Sequence, residues 1–387
     1  MTDTIRLGII GLGAEGGLYA NLISGGKTPH VEIGAICDIL PEKKARADEL
    51  GVPFFEDYIE MMESGKVDAV VTTVPHYLHP EMGIAALERG IHALVEKPVG
   101  VYTRQARKLI DFAASKPELT FGVFFNQRTN PLYVDLKALI ESGELGALRH
   151  TSWIITNWWR PQGYYNQSEW RATWGGEGGG VLVNQAPHQL DLWQWMCGVP
   201  TRCFAKLAFG FKRDIAVEDE VNAIVDFGNG ATGHFMTCTH DMVGTDRLEM
   251  LFDKGKVVVD NSKKVTITRL SGPEQEISEN MGMEQVMQLF MGKMDTTELI
   301  STEEKVYESV FGEQHSTVME NFALNILEGQ PLVAPGADGI NGVRLANGFH
   351  LSAWTGEEVD LENFDEERYL AELNKRIEAE GTFETRS

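Results

Sequence analysis

The chain has 387 residues, enough for two domains that each bury a core of their own. Hydrophobic residues at 43% and charged residues at 24% are ordinary globular values, which excludes a disordered or fibrous chain. With 34 Lys and Arg against 57 Asp and Glu the formal charge is -23, which repels phosphate backbones and anionic lipid and argues against nucleic-acid and membrane partners.

The residues before Ile5 form neither a basic region nor an apolar run of signal length, and no later run reaches membrane length. Cys37, Cys197, Cys203 and Cys238 lie scattered in apolar runs without a C-x-x-C pair, which fits reduced thiols. Together these predict a cytoplasmic protein.

From 5 to 125, short apolar runs (5–10, 31–37, 69–74, 92–95, 120–125) alternate with helical patterns (17–24, 41–50, 80–89, 103–115). That alternation predicts parallel strands joined by crossover helices, a doubly wound α/β unit over 1–126. A further helix is expected at 131–141, after which the rhythm is lost. Strand-like segments at 148–158, 202–211, 220–227, 231–239, 247–252, 256–259 and 264–269 predict a large, open, mostly antiparallel sheet in an α+β domain over 127–356. Residues 271–305, rich in Met, Glu and Gln, read as an irregular or helical insertion. Helices return at 316–327 and 339–354, the second a candidate to pack back on the first domain, and 357–387 read as an acidic tail.

The first strand runs into Gly11-Leu12-Gly13-Ala14-Glu15-Gly16 and then a helix, the context that a dinucleotide-binding G-x-G-x-x-G requires. Gly11 permits the turn, Gly13 lets a pyrophosphate approach the backbone and Gly16 lets the helix pack closely, with the first amides of the helix facing the phosphates. Asp38, 27 residues after Gly11 at the end of the second strand, is placed to accept from both ribose hydroxyls; its other reading is a cap on the helix starting near Pro41. A 2′-phosphate would meet that carboxylate, and neither Ile39 nor Leu40 offers a cation, so NAD is favoured over NADP.

Glu96-Lys97-Pro98 after a strand, then Ser168-Glu169-Trp170-Arg171, Gly178-Gly179-Gly180 and His188-Gln189-Leu190-Asp191, resemble the glucose-fructose oxidoreductase, inositol dehydrogenase and rhizopine-catabolism (Gfo/Idh/MocA) family. The resemblance spans most of 5–355. It implies a Rossmann domain, a second domain on an open antiparallel sheet, homodimers or homotetramers through that sheet's outer face, and hydride transfer on sugars, cyclitols or related compounds. It makes Lys97 the active-site lysine, Pro98 a residue often found in a cis bond, and His188 the active-site histidine. Pro75 and His79 match its T-P-N-x-x-H loop, with His76 in place of the asparagine. Thr73, Glu96, Asn126, Trp170 and Arg171 join the expected cofactor contacts.

The chemistry asks for these residue types independently. Oxidising a secondary alcohol requires a base for the hydroxyl proton and a cation beside the developing alkoxide. Histidine suits the first role and lysine the second, so His188 is assigned as base and Lys97 as donor; on sequence alone the two are interchangeable. Four residues before His188, where many family members carry aspartate, this chain has Asn184, which positions a hydroxyl without adding charge. Asp191 is placed either to orient the His188 imidazole or simply to solvate its helix. Trp158, Trp159, Arg160, Tyr164 and Tyr165 are candidate substrate contacts in an aromatic-rich stretch whose bulk suits a glycoside with an aglycone better than a free polyol.

His76 and His79 lack the carboxylate that would complete a zinc set, His234, His240, His315 and His350 share no ligand spacing, and no metal is expected. The expected activity is thus an NAD-dependent sugar, glycoside or cyclitol dehydrogenase. Its alternatives are a redox-neutral, glycoside-cleaving enzyme that recycles NAD in place and a non-catalytic NAD- and sugar-binding regulator.

Overall fold

The computed structural model describes residues 4–380. Six parallel strands form the first sheet: β1 Ile5–Ile10, β2 Val31–Cys37, β3 Phe54–Phe55, β4 Ala69–Thr72, β5 His92–Val95 and β6 Phe121–Val123, in the order β3-β2-β1-β4-β5-β6. Their near-continuous apolar sequence matches burial on both faces. β3 escapes periodicity because it is two residues long. The order reverses direction between β1 and β4, which opens a crevice at the strands' C-terminal ends. β4 stops at Thr72 rather than continuing to Val74, with the Thr73 amide making a last ladder bond to the Ile10 carbonyl (2.8 Å).

One face of this sheet is completed from far along the chain. Helix Glu313–Glu328 lays Val318, Met319, Phe322 and Ala323 against Ile9, Tyr19 and Phe124. Helix Gly339–Thr355 bridges the two domains: Ser352 accepts from the Ala205 amide of the second sheet (2.9 Å), while Val343 packs with Val95, Val99, Ala106 and Leu109 and the Asn347 side-chain amide donates to Val101, so the helix does pack back on the first domain.

The second sheet has nine strands: β7 Leu148–Ile155, β8 Arg202–Phe209, β9 Glu218–Asp226, β10 Thr232–Cys238, β11 Asp246–Phe252, β12 Gly255–Asp260, β13 Lys264–Leu270, β14 Ile300–Val306 and β15 Val359–Asp360. The order is β14-β13-β12-β11-β7-β10-β9-β8-β15, antiparallel except for β7 beside β10. Alternation is clear: Leu248, Met250 and Phe252 of β11 point inward, where helix Pro187–Cys197 seats Trp193 5.5 Å from Phe235. Each such side chain contributes roughly 2–3 kcal/mol by leaving water.

The expected insertion is helical in part but ends in a strand, and the expected tail needs correction. The stretch 271–305 contains two short helices, Glu274–Asn280 and Met283–Phe290, and ends in β14, paired with β13 from Lys264↔Val306 to Leu270↔Ile300. Every residue of β14 is exposed, so it lacks the alternation by which a strand is read. The expected acidic tail adds β15 to the sheet and then forms helix Glu366–Glu380, whose Tyr369, Leu370 and Leu373 are buried. Tyr369 stacks on Trp354 at 5.4 Å, and the Glu380 carboxylate accepts from the Trp174 and Gly175 amides; its acidic composition concealed an apolar stripe. Residues 381–387 of that expected tail lie outside the described residues.

No helix of the described residues is long and apolar enough to cross a membrane. All four cysteines are free, and burial pushes the thiols of Cys37, Cys197 and Cys203 up to about 12.

Candidate active site

The glycine turn shows three different reasons for glycine. Gly11 has φ +92°, and a Cβ there would sit 2.5 Å from the Thr73 carbonyl oxygen. A Cβ on Gly16 would meet the Gly11 oxygen at 2.0 Å, whereas one on Gly13 would meet nothing within 4 Å. Gly11 and Gly16 close the fold, and Gly13 leaves room for something else. Helix Ala14–Ser24 begins here with no side-chain cap, and Gly13, Ala14 and Glu15 are exposed, leaving first-turn amides for an anion.

Asp38 accepts from the Leu12 amide (2.7 Å) and the Leu40 amide (2.9 Å). The helix at Pro41 has no side-chain cap, so Asp38 does not cap it; the carboxylate braces the glycine turn and keeps lone pairs for a ribose. Thr73 Oγ1 donates to the Ile10 or Gly11 carbonyl (3.0 and 2.5 Å). Open backbone at Gly13, an uncapped helix start and a carboxylate at the second strand's end fit a dinucleotide.

β5 delivers Glu96-Lys97-Pro98 to the same crevice, with the Lys97–Pro98 bond cis. Glu96 is buried, accepting from Tyr19 Oη and from the Lys97 amide (3.0 Å). Burial raises its carboxyl to about 7 despite the pull of Lys97. Lys97 Nζ crosses to the second domain and donates to the Asn184 carbonyl (3.0 Å).

His188 is the second residue of helix Pro187–Cys197, set edge-on to Phe125 at 6.5 Å, and its Nδ1 is buried without a partner. Burial first, then the charge of Lys97 and the neighbouring His315 ring, push its pKa well below the ordinary imidazole range. Asp191 does not orient it. That carboxylate holds Arg128 in a bidentate pair (2.6 and 2.9 Å), because a buried guanidinium outcompetes a neutral ring for an anion.

The Asn184 side chain donates from Nδ2 to Glu177 and accepts at Oδ1 from Gln185 Nε2 (2.9 Å). Buried Glu177 also accepts from the Ala172 amide (2.6 Å), lies 3.8 Å from Arg171, and takes the His76 ring on its backbone carbonyl (3.1 Å). Arg171 donates to Tyr164 Oη (2.6 Å) and lies over the Tyr164 and Trp170 rings. Trp170 meets His76 edge-on at 6.3 Å. Lys97, Asn184, His188, His76 and Arg171 thus share one crevice between the domains.

Other expected contacts lie elsewhere. His79 sets its two ring nitrogens against the Pro98 and Val74 carbonyls (2.7 and 2.8 Å) and donates to one of them, tying the Pro75 loop to the Lys97 turn rather than facing a ligand. Tyr165 is a core residue, its ring edge-on to Tyr164 at 5.2 Å. Trp158 is half-buried, Trp159 is exposed, and Arg160 stacks over Tyr164 at 5.1 Å, so these rim the crevice.

Sequence reasoning missed three residues. Asn126 donates to His315 Nε2 (2.8 Å), which brings a histidine without any motif beside His188. Burial first and Lys97 second lower His315 to about 4. Arg128 and Glu177 are the others; a carboxylate between paired glycines was the one visible signal for Glu177. Among the described residues, no three His, Cys, Asp or Glu side chains cluster as metal ligands.

Residues 5–125 match the family described as an oxidoreductase family with an NAD-binding Rossmann fold, and residues 133–258 match the GFO/IDH/MocA C-terminal domain. The uncharacterized oxidoreductase YdgJ of Escherichia coli (strain K12) is 34% identical over 54% of this chain and 58% of its own length, and the scyllo-inositol 2-dehydrogenase (NAD(+)) of Bacillus subtilis (strain 168) 25% over 70% and 78%. Thus the chain spans less than two thirds of the first of these relatives. A levoglucosan dehydrogenase solved with NADH and levoglucosan superposes with TM-score 0.78 at 20% identity, covering 93% of this chain and 100% of that one. The WlbA dehydrogenase of Bordetella pertussis, solved with NADH and UDP-GlcNAcA, gives 0.74 at 24%, covering 92% and 98%. These two likenesses concern the fold. The two matched domains, in the chain order that the glycine turn and the Lys97 and His188 motifs predict, make this chain a member of the GFO/IDH/MocA family of NAD-binding oxidoreductases.

Proposed function

We propose that the protein is a dehydrogenase acting on a secondary carbinol of a sugar, glycoside or cyclitol. The observation that carries this reading is the convergence of Lys97, Asn184 and His188, whose Nδ1 is unpartnered, beside a crevice fit for NAD. Bound NAD supplies the hydride acceptor. The substrate's carbinol oxygen lies between Lys97 and His188. Lys97 spends one donor on the Asn184 carbonyl, and its ammonium keeps two for that oxygen. The lowered pKa of His188 supports the base role, since the ring stays neutral and ready for the hydroxyl proton below its ordinary range. Asn184, Tyr164 and the rim of Trp158, Trp159 and Arg160 orient the remaining hydroxyls. Residues 4–126 form the cofactor domain and 127–380 the substrate and assembly domain, with helix Glu313–Glu328 lent to the first core.

Incubation with NAD and a panel of inositols, free sugars and glycosides tests this through the absorbance of reduced nicotinamide. We expect turnover with one class and an acid limb of kcat/KM below pH 6.5, because a base with a depressed pKa stays deprotonated to lower pH. NAD binding without turnover across the panel would overturn the reading.

The same reading makes the sheet's outer face a self-association surface. Phe204 and Ile224 oppose each other across β8 and β9, with Ile154 and Leu251 beyond, all exposed. Sedimentation is expected to show a dimer or tetramer; a monomer at micromolar concentration would count against it.

A further inference from the structure

Resting on that function, we propose that Glu177 is a positioning residue: it fixes which edge of Asn184 faces the substrate, so that Asn184 offers an oxygen acceptor to a substrate hydroxyl.

The argument begins with what a carboxylate can do. Glu177 is 2% exposed and flanked by glycines, and both of its oxygens are committed, one to the Ala172 amide and one to Asn184 Nδ2. Burial raises the Glu177 carboxyl above its ordinary range, while the Ala172 amide, Asn184 and Arg171 favour the charged form; as a carboxylate it accepts only, so the edge of Asn184 that meets it is the nitrogen. The carbonyl edge then turns the other way, toward Tyr164 Oη and Gln185 Nε2. Gln185 takes one lone pair of Oδ1 at 2.9 Å, while Tyr164 lies at the limit of bonding, 3.5 Å, leaving the second lone pair for an incoming hydroxyl. The Asn184 backbone holds Lys97 Nζ, so one residue ties the lysine and the acceptor together.

Glu177 also secures the surroundings of that acceptor. Arg171, 3.8 Å from the carboxylate, donates to Tyr164 Oη, and the Glu177 carbonyl holds the His76 ring, so the residue touches both sides of the crevice without lining the reacting centre. The substrate class it selects is one that donates a hydroxyl hydrogen at the Asn184 position rather than one that accepts there.

A polarity swap tests this. In Glu177→Gln the side chain presents one accepting oxygen in place of two, so either the Ala172 amide or Asn184 Nδ2 meets a second donor, and Asn184 is driven to turn its nitrogen to the substrate. We expect kcat/KM to fall about 10- to 100-fold, the usual cost of losing an orienting partner, with NAD affinity little changed. In Glu177→Gln/Asn184→Asp the introduced amide accepts from Ala172 and donates to the introduced carboxylate, whose other oxygen faces the substrate again. We expect the double variant to recover most of the loss. A purely structural Glu177 predicts no recovery, and that result would overturn the proposal. A second readout needs no substrate: the side-chain amide signal of Asn184 in selectively 15N-labelled enzyme, assigned by its absence in Asn184→Asp, must move in Glu177→Gln. An unmoved signal overturns the inference, whereas a moved signal with no turnover by wild type counts against the dehydrogenase reading instead.

Discussion

Lys97→Met is expected to lower kcat/KM on the order of 10³-fold while leaving the fold intact. The substitution keeps the unbranched stem and removes only the ammonium. In the protein that ammonium meets one oxygen, the Asn184 carbonyl, and losing a hydrogen bond from a charged donor costs about 1.5–3 kcal/mol, less than the stability of a typical folded domain. The larger loss comes from the reaction, where the alkoxide oxygen would face no fixed positive charge. A second effect has a defined sign. Lys97 is one of the charges that depress the His188 pKa, so its removal raises that pKa and moves the acid limb of kcat/KM to higher pH, although burial still keeps the imidazole below its ordinary range. Steady-state rates across pH with a thermal-shift control check both. Near-normal activity in a folded variant would hand the role at the substrate oxygen to another residue.

How far such a site can be read from sequence depends on whether its residues carry a local pattern. Gly11, Gly13, Gly16 and Asp38 were legible because a tight turn, a phosphate approach and a strand end impose fixed spacing, and the three glycines do separate by cause. Lys97 and His188 were legible by resemblance, since each sits at a strand or helix end with a motif around it. Glu177, His315 and Arg128 were not, because each acts through a partner outside its own element: His315 reaches Asn126, and Arg128 reaches Asp191 and Asp338. Asp191 failed for the same reason, as helical spacing brought it near His188 but could not reveal a competing guanidinium. In the fold, alternation identified the half-buried strands and missed β14, exposed throughout, and the two-residue β3 and β15. The last helix was hidden because many carboxylates surround its few buried residues.

Arg128→Ala is expected to destabilise the protein by about 3–5 kcal/mol, the range for breaking a buried ion pair by removing one partner. Arg128 and Asp191 are 5% exposed or less at their side chains, and the guanidinium also reaches Asp338 at 2.7 Å and the Val333 carbonyl at 3.3 Å. It thereby joins the turn after β6, the helix that carries His188 and the turn that precedes helix Gly339–Thr355. Truncation leaves the Asp191 carboxylate buried and uncompensated. Even in the native pair, burial outweighs Arg128 and holds Asp191 up at about 6, above its ordinary 3.8. The folded state therefore binds more protons at this group than the unfolded state between those values, so its contribution to stability falls as pH rises through that window. Without Arg128 the folded pKa climbs further, and the window extends upward. The deficit should therefore be larger at pH 8 than at pH 5.5, where the orphaned carboxyl takes a proton. Urea unfolding at both values measures it, and a loss below about 1 kcal/mol at the higher pH would mean that water or a shifted side chain compensates the charge. The partial remedy is equally specific: Arg128→Met combined with Asp191→Leu removes both charges and should recover much of the stability, because a buried pair offsets little more than its own desolvation. Activity should recover less, since the pair also fixes the helix from which His188 faces the crevice.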